Sequence, residues 1–122
     1  MSIEEILAAQ LIATIATVQN RYSPSQRESE QVLNFCSDEG LGFIPWSPIA
    51  GGTLSRSGSR FAAVARQFGV TPNQIALAWL LRRSPVMLPI PGTSSVAHLE
   101  ENVSAAAIHL TDAQFEALTY GL

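Results

Sequence analysis

Pro89-Ile90-Pro91-Gly92-Thr93-Ser94-Ser95-Val96-Ala97-His98-Leu99-Glu100-Glu101-Asn102 is the stretch on which the fold turns. It begins as the tail of the apolar run Val86-Met87-Leu88-Pro89-Ile90 and turns at Pro91-Gly92. Thr93, Ser94 and Ser95 follow as helix starters. Val96, Leu99 and Val103 recur at helical spacing, so a strand passes into a helix here. The free N–H groups of a first helical turn, with the positive end of its dipole, favour an anion. Gly92 lets a bulky ligand approach the backbone, and the three hydroxyls can donate to phosphate oxygens. His98 and Asn102 stand one turn apart with Glu101 adjacent, so all three reach one side of the helix start. The same residues also make an ordinary strand-to-helix joint with a serine cap.

Outward from this joint the chain alternates. Ser2 with Glu5 forms a capping box for a first helix ending near Ile12. Thr14–Gln19 is short and β-branched, which predicts a strand. Ser23-Pro24 is expected to open the next helix, with Val32, Leu33, Phe35 and Cys36 as its buried stripe and Gly40 as its stop. Leu41–Trp46 is a second strand, followed by a Gly- and Ser-rich loop. Phe61, Val64, Ala65 and Phe68 mark a helix before Gly69. Thr71-Pro72-Asn73-Gln74 starts another, apolar on nearly every side, that runs to Arg82-Arg83. Val86–Ile90 is a third strand and Ala105–His109 a short fourth. Thr111 with Gln114 caps a last helix that turns Phe115 and Leu118 inward.

Such alternation implies a parallel sheet with helical crossovers. An open doubly wound sheet and half of a (β/α)8 barrel both fit it. No Gly-x-Gly-x-x-Gly follows the first strand, so the dinucleotide-binding fingerprint of the doubly wound fold is missing.

The chain has 122 residues, 47% of them hydrophobic and 14% charged, with a net charge of −3. That length fits one domain, residues 1–122, and falls short of the roughly 200 residues a complete (β/α)8 barrel needs. The acidic balance gives no footprint for nucleic acid. The single cysteine, Cys36, excludes an internal disulfide and fits a reducing cytoplasm. No apolar run approaches the ~20 residues of a membrane span, and no basic leader follows Met1. Cys36 and Trp79 lie on apolar helical faces and are expected in the core. His109 has no partner at ligand spacing, so no metal site is expected.

Three motifs resemble the aldo-keto reductases, the NADP(H)-dependent (β/α)8 oxidoreductases. Val18-Gln19-Asn20-Arg21-Tyr22-Ser23 is similar to the family's fifth strand. Phe43-Ile44-Pro45-Trp46-Ser47-Pro48-Ile49-Ala50-Gly51-Gly52-Thr53-Leu54 is similar to the sixth strand with its cofactor-covering loop. The Pro89–Asn102 stretch resembles the segment after the seventh. The resemblance runs from end to end, in family order, and decides between the two architectures. It implies an α/β fold: half of a (β/α)8 TIM barrel, strands five to eight, four parallel βα units preceded by a helix.

The family's activity is reduction of an aldehyde or ketone to an alcohol, with NADP(H) as cofactor. The resemblance places Gln19 on the nicotinamide carboxamide and Trp46 against the nicotinamide face. Ser47, Pro48, Ile49, Ala50 and Gly51 would run along the pyrophosphate, with Arg56 in reach of a phosphate. Gly92, Ser94, His98, Glu101 and Asn102 would hold the adenosine 2′-phosphate end. Many members carry Lys or Arg where Gly92 stands and Arg where His98 stands; both cations are missing here. The family's catalytic Tyr, Asp, Lys and His belong to the barrel's first half, and this chain contains no lysine at all. No catalytic residue is therefore assigned, and the chain is expected to be inactive alone. NADP(H) binding is expected to be weak, or confined to an assembled barrel. The expected partner is a second copy, closing the barrel as a dimer, or a separate chain carrying the first half. The competing readings are a dimeric nucleotide-binding or interaction module without catalysis, and a folded remnant.

Overall fold

The computed structural model describes residues 1–46 and 59–120. Two strands, β1 (Thr17–Arg21) and β2 (Gly42–Trp46), pair in parallel, with Thr17 opposite Gly42 and Arg21 opposite Trp46. Around them lie α1 (Ile3–Gln10), α2 (Glu30–Glu39), α3 (Arg60–Phe68), α4 (Pro72–Arg83), α5 (Val96–Ser104) and α6 (Asp112–Tyr120).

The three capping boxes read from the sequence form as written. Ser2 and Glu5 close a capping box on α1, as do Thr71 and Gln74 on α4. Thr111 and Gln114 exchange the same two bonds at the start of α6. Gly40 and Gly69 end α2 and α3 with φ of 71° and 67°, a left-handed conformation that costs other residues more.

Four expectations need correction. The first strand, expected at Thr14–Gln19, runs from Thr17 to Arg21, the residues that pair with Gly42–Trp46. The helix after β1 begins at Glu30 rather than at Ser23-Pro24, because Ser23 and Gln26 exchange backbone bonds and hold a turn there. The third strand shrinks to a single bridge, Met87 beside Phe43, flanked by Phe43 N–H donating to Val86 and Leu88 N–H donating to Phe43. The next rung in this register would be an N–H of residue 45 donating to Leu88, and Pro45 has none to give. The expected fourth strand is a 3₁₀ turn at Ala105–Ala107, as suits alanines with no β-branch to favour a strand. Among the described residues the chain thus carries two strands and one bridge segment, not four strands.

The sheet has one covered face. Val18, Phe43 and Met87 are buried beneath the helices. Trp79 of α4 sits at the centre, stacked on Tyr22 at 6.1 Å and on Phe115 of α6 at 5.6 Å. Tyr22 meets Phe43 edge-on at 5.8 Å. The Trp79 indole donates to Thr119 Oγ1 at 2.9 Å, so its polar edge is satisfied. Cys36 is fully buried, and burial raises its thiol pKa, as fits a core residue. Ion pairs Arg83–Glu30 and Arg82–Asp112 tie α4 to α2 and α6.

The opposite face is open among the described residues. Thr17, Gln19 and Arg21 point there, with Trp46 45% and Leu88 48% exposed. Gly42 makes room on that face: a Cβ added to it would meet Leu88 Cδ1 at 2.9 Å and Thr17 Cγ2 at 3.1 Å. Further apolar groups stand exposed at either flank, Leu7, Leu11 and Ile12 on and after α1, and Val96, Leu99 and Val103 on α5. No helix among the described residues is long and apolar enough to cross a membrane.

Candidate functional site

Two hollows contain Gln19, Trp46, Gly92, His98, Glu101 and Asn102, all of the described candidate residues except Ser94. The first, about 560 Å³, is lined by Gln19 and Trp46 together with Met1, Ser2, Asn20, Arg21, Glu28, Ser29 and Val32. Gln19 and Trp46 reach it because both strands end at this edge and their alternate residues face the open side. Arg21, paired with Trp46 across the ladder, lays its guanidinium 5.5 Å from the indole centre and is held by Gln26 Oε1 at 3.1 Å. Asn20 turns the other way and is buried, its amide donating to Met1 O and Ser29 Oγ. The wall behind Gln19 is therefore fixed, while the Gln19 amide and the Trp46 ring stay open to a ligand.

The second hollow, about 270 Å³, is lined by Gly92, Thr93, His98, Glu101 and Asn102, with Thr71 and Asn73 from the start of α4. Ser95 caps α5 and accepts from His98 N–H at 3.4 Å, and Thr93 Oγ1 accepts from Ser95 N–H at 3.1 Å. The helix start expected at Thr93–Ser95 is thus formed. Ser94 stands exposed beside the cap but does not line the hollow. The lining offers hydroxyls, two amides, an imidazole and one carboxylate. It contains neither lysine nor arginine.

Ser47, Pro48, Ile49, Ala50, Gly51 and Arg56 lie outside the described residues. Thr71 and Asn73 were missed as pocket residues, because their sequence spells a helix cap and nothing local says that the cap also forms a wall. Arg21 was missed because its place beside Trp46 comes from strand register. Among the described residues no group of three His, Cys, Asp or Glu side chains is placed to hold a metal ion.

A parallel α/β unit whose strand ends and following helix start both open into hollows matches the way dinucleotide sites are built at strand C-termini. Residues 1–120 match the sequence model of the Aldo/keto reductase family, and the chain belongs to that family. It is 45% identical over 118 residues to an uncharacterized oxidoreductase of Schizosaccharomyces pombe, covering 97% of this chain and 39% of that protein. It is 44% identical over 108 residues to pyridoxine 4-dehydrogenase of Escherichia coli, covering 88% of this chain and 37% of the enzyme. Its fold superposes on an aldo-keto reductase of Klebsiella pneumoniae solved in complex with NADPH, with a TM-score of 0.86 and 27% identity, over 97% of this chain and 44% of that one. The chain spans about two fifths of the length of the curated relatives it matches.

Proposed function

We propose that this chain is the cofactor-holding part of an NADP(H)-dependent carbonyl reductase barrel. The observation that carries the reading is the gathering of assigned residues into two hollows, Gln19 with Trp46 and Gly92 with His98, Glu101 and Asn102. Relatives crystallised with NADPH or NADP support the cofactor class. Bound NADPH would supply the hydride that reduces an aldehyde or ketone. Gln19 would fix the carboxamide through its amide, and Trp46 would offer a flat, exposed ring against which the nicotinamide is oriented. At the other end Thr93, Asn102 and the α5 N-terminus would hydrogen-bond the adenosine phosphate, and Glu101 would accept from hydroxyl or amino groups. With no cation in the lining, the hold on a 2′-phosphate is weak. Ser94, the Ser47–Gly51 segment and Arg56 belong to the same proposal.

The chain would supply three consecutive strand positions of the barrel rather than four. Two strands and one bridge segment are present among the described residues. Three of eight barrel strands is also close to the 37–44% of their length over which the relatives are matched. Two copies would bring only six strands, so a homodimer would not close an eight-stranded barrel. The cover of the open face is instead the remaining five strand–helix units, in the same or another polypeptide. Those units would bring the acid that protonates the carbonyl oxygen, and this polypeptide by itself would not turn over.

Titration of the chain with NADPH, read by Trp46 fluorescence against a Trp46→Phe control, tests the reading. Quenching that is lost in the control is expected, with amide shifts at Gln19 and Asn102. No heat and no shifts at either hollow, with the barrel completed, would overturn it.

A further inference from the structure

The 270 Å³ hollow is shared between two elements, the start of α4 and the segment Gly92–Asn102. α5 lies against α4 but buries little apolar surface there: none of its residues is buried, and Val96, Leu99 and Val103 face outward, so Ala105 just beyond it is the nearest buried anchor. The tie is Gln74, a buried side chain of α4. Its Nε2 donates to the backbone carbonyl of Glu101 and to Ser104 Oγ, both at 3.0 Å. Its Oε1 accepts from Thr71 N–H at 3.0 Å. The orientation of this amide is forced, because a backbone N–H can only donate and a carbonyl can only accept. Ser104 Oγ in turn donates to Glu101 O at 2.9 Å, so one carbonyl collects both bonds. Thr71 and Glu101, the residues joined through Gln74, both line the hollow.

We propose that Gln74 is a positioning residue for the ligand site, setting the separation of α4 and α5 and with it the width of the hollow. Its capping role alone would be served equally well by glutamate, which accepts from Thr71 N–H in the same way. Only the amide can also donate to Glu101. Gln74→Glu therefore keeps the cap and the side-chain shape, removes the tie, and sets a carboxylate oxygen against the Glu101 carbonyl.

The ligand assignment rests on the reading above; the tie does not, and the test separates them. In the full chain, amide hydrogen exchange of Gln74→Glu without ligand should rise about tenfold or more at Glu101–Ser104 and stay unchanged in α3 and α4. NADPH should bind the variant about tenfold more weakly, with the shifts at Gln19 unaltered in the bound state. Gln74→Met, which loses the side-chain half of the capping box together with the tie, should raise exchange at the start of α4 as well as in α5. Unchanged exchange at Glu101–Ser104 in Gln74→Glu, or a rise spread evenly over α3, α4 and α5, overturns the proposal, as does unchanged NADPH affinity. Failure of the unaltered chain to bind NADPH, with the barrel completed, overturns the functional reading instead.

Discussion

Met87 and Leu88 are neighbours in sequence and opposites in environment, 4% and 48% exposed. Met87 points among the helices with Phe43, while Leu88 lies over Gly42 on the open face. Met87→Ala in a packed core costs about 2–5 kcal/mol, from lost transfer energy and the cavity left behind. Leu88 has about half of its surface still in water, so Leu88→Ala forgoes only about half of the 1.5–3 kcal/mol of a full burial, roughly 1 kcal/mol. Against a typical domain stability of about 5–15 kcal/mol both are measurable, and the first is at least twice the second. Urea unfolding of the two variants, compared at an unchanged slope, reads the difference. When the remaining strand–helix units cover the open face, the cost of Leu88→Ala should climb toward that of Met87→Ala. Equal losses in the chain alone would refute the assignment of the two faces. A cost at Leu88 that ignores the cover would refute the claim that this face is the seam.

Thr119→Val leaves the buried Trp79 indole N–H without an acceptor and should cost about 1–3 kcal/mol, read by the urea midpoint; no loss would mean that the 2.9 Å bond carries nothing. Burial, with the bond from its hydroxyl to Glu30 and that carboxylate's charge, raises the Tyr22 pKa above its ordinary value of 10.0. The folded chain keeps a proton that the unfolded chain releases, so this contribution is full below about pH 10 and is lost as pH rises beyond it. Tyr22→Phe should flatten that alkaline decline, and parallel declines would sink the assignment. His98→Arg should tighten NADPH about tenfold and NADH little, by placing a guanidinium in reach of the 2′-phosphate; equal gains would place His98 away from that phosphate.

Helix ends were the most legible part of this sequence, because a cap is decided by residues three apart. Ser2 with Glu5, Thr71 with Gln74 and Thr111 with Gln114 carry their own partners. Strand extents were less legible, because a strand depends on a neighbour that the local sequence does not contain. Val86–Ile90 has the apolar run of a buried strand, yet Pro45 on the neighbouring strand has no N–H for the rung after the Met87 bridge. Ala105–Ala107 followed a helix at about the right interval for a strand, but alanine gives a sheet little side chain to pack. The turn at Ser23–Gln26 was hidden by Pro24, which suits a turn as well as the first position of a helix.

The site divides along the same line. His98, Glu101 and Asn102 share a helix, so their convergence follows from spacing alone. Thr71 and Asn73 reach that hollow, with Gln74 beside it, only because the start of α4 lies next to α5, which no local spacing encodes. Gln74 shows why such a residue escapes notice. Its capping bond to Thr71 is complete within four residues and accounts for a glutamine there. The second half of the amide, which spans 27 residues to Glu101, leaves no mark on the local pattern. A side chain with two polar ends can satisfy a helix rule with one and fix a binding site with the other. The amide, unlike a carboxylate of the same shape, is the group that can do both.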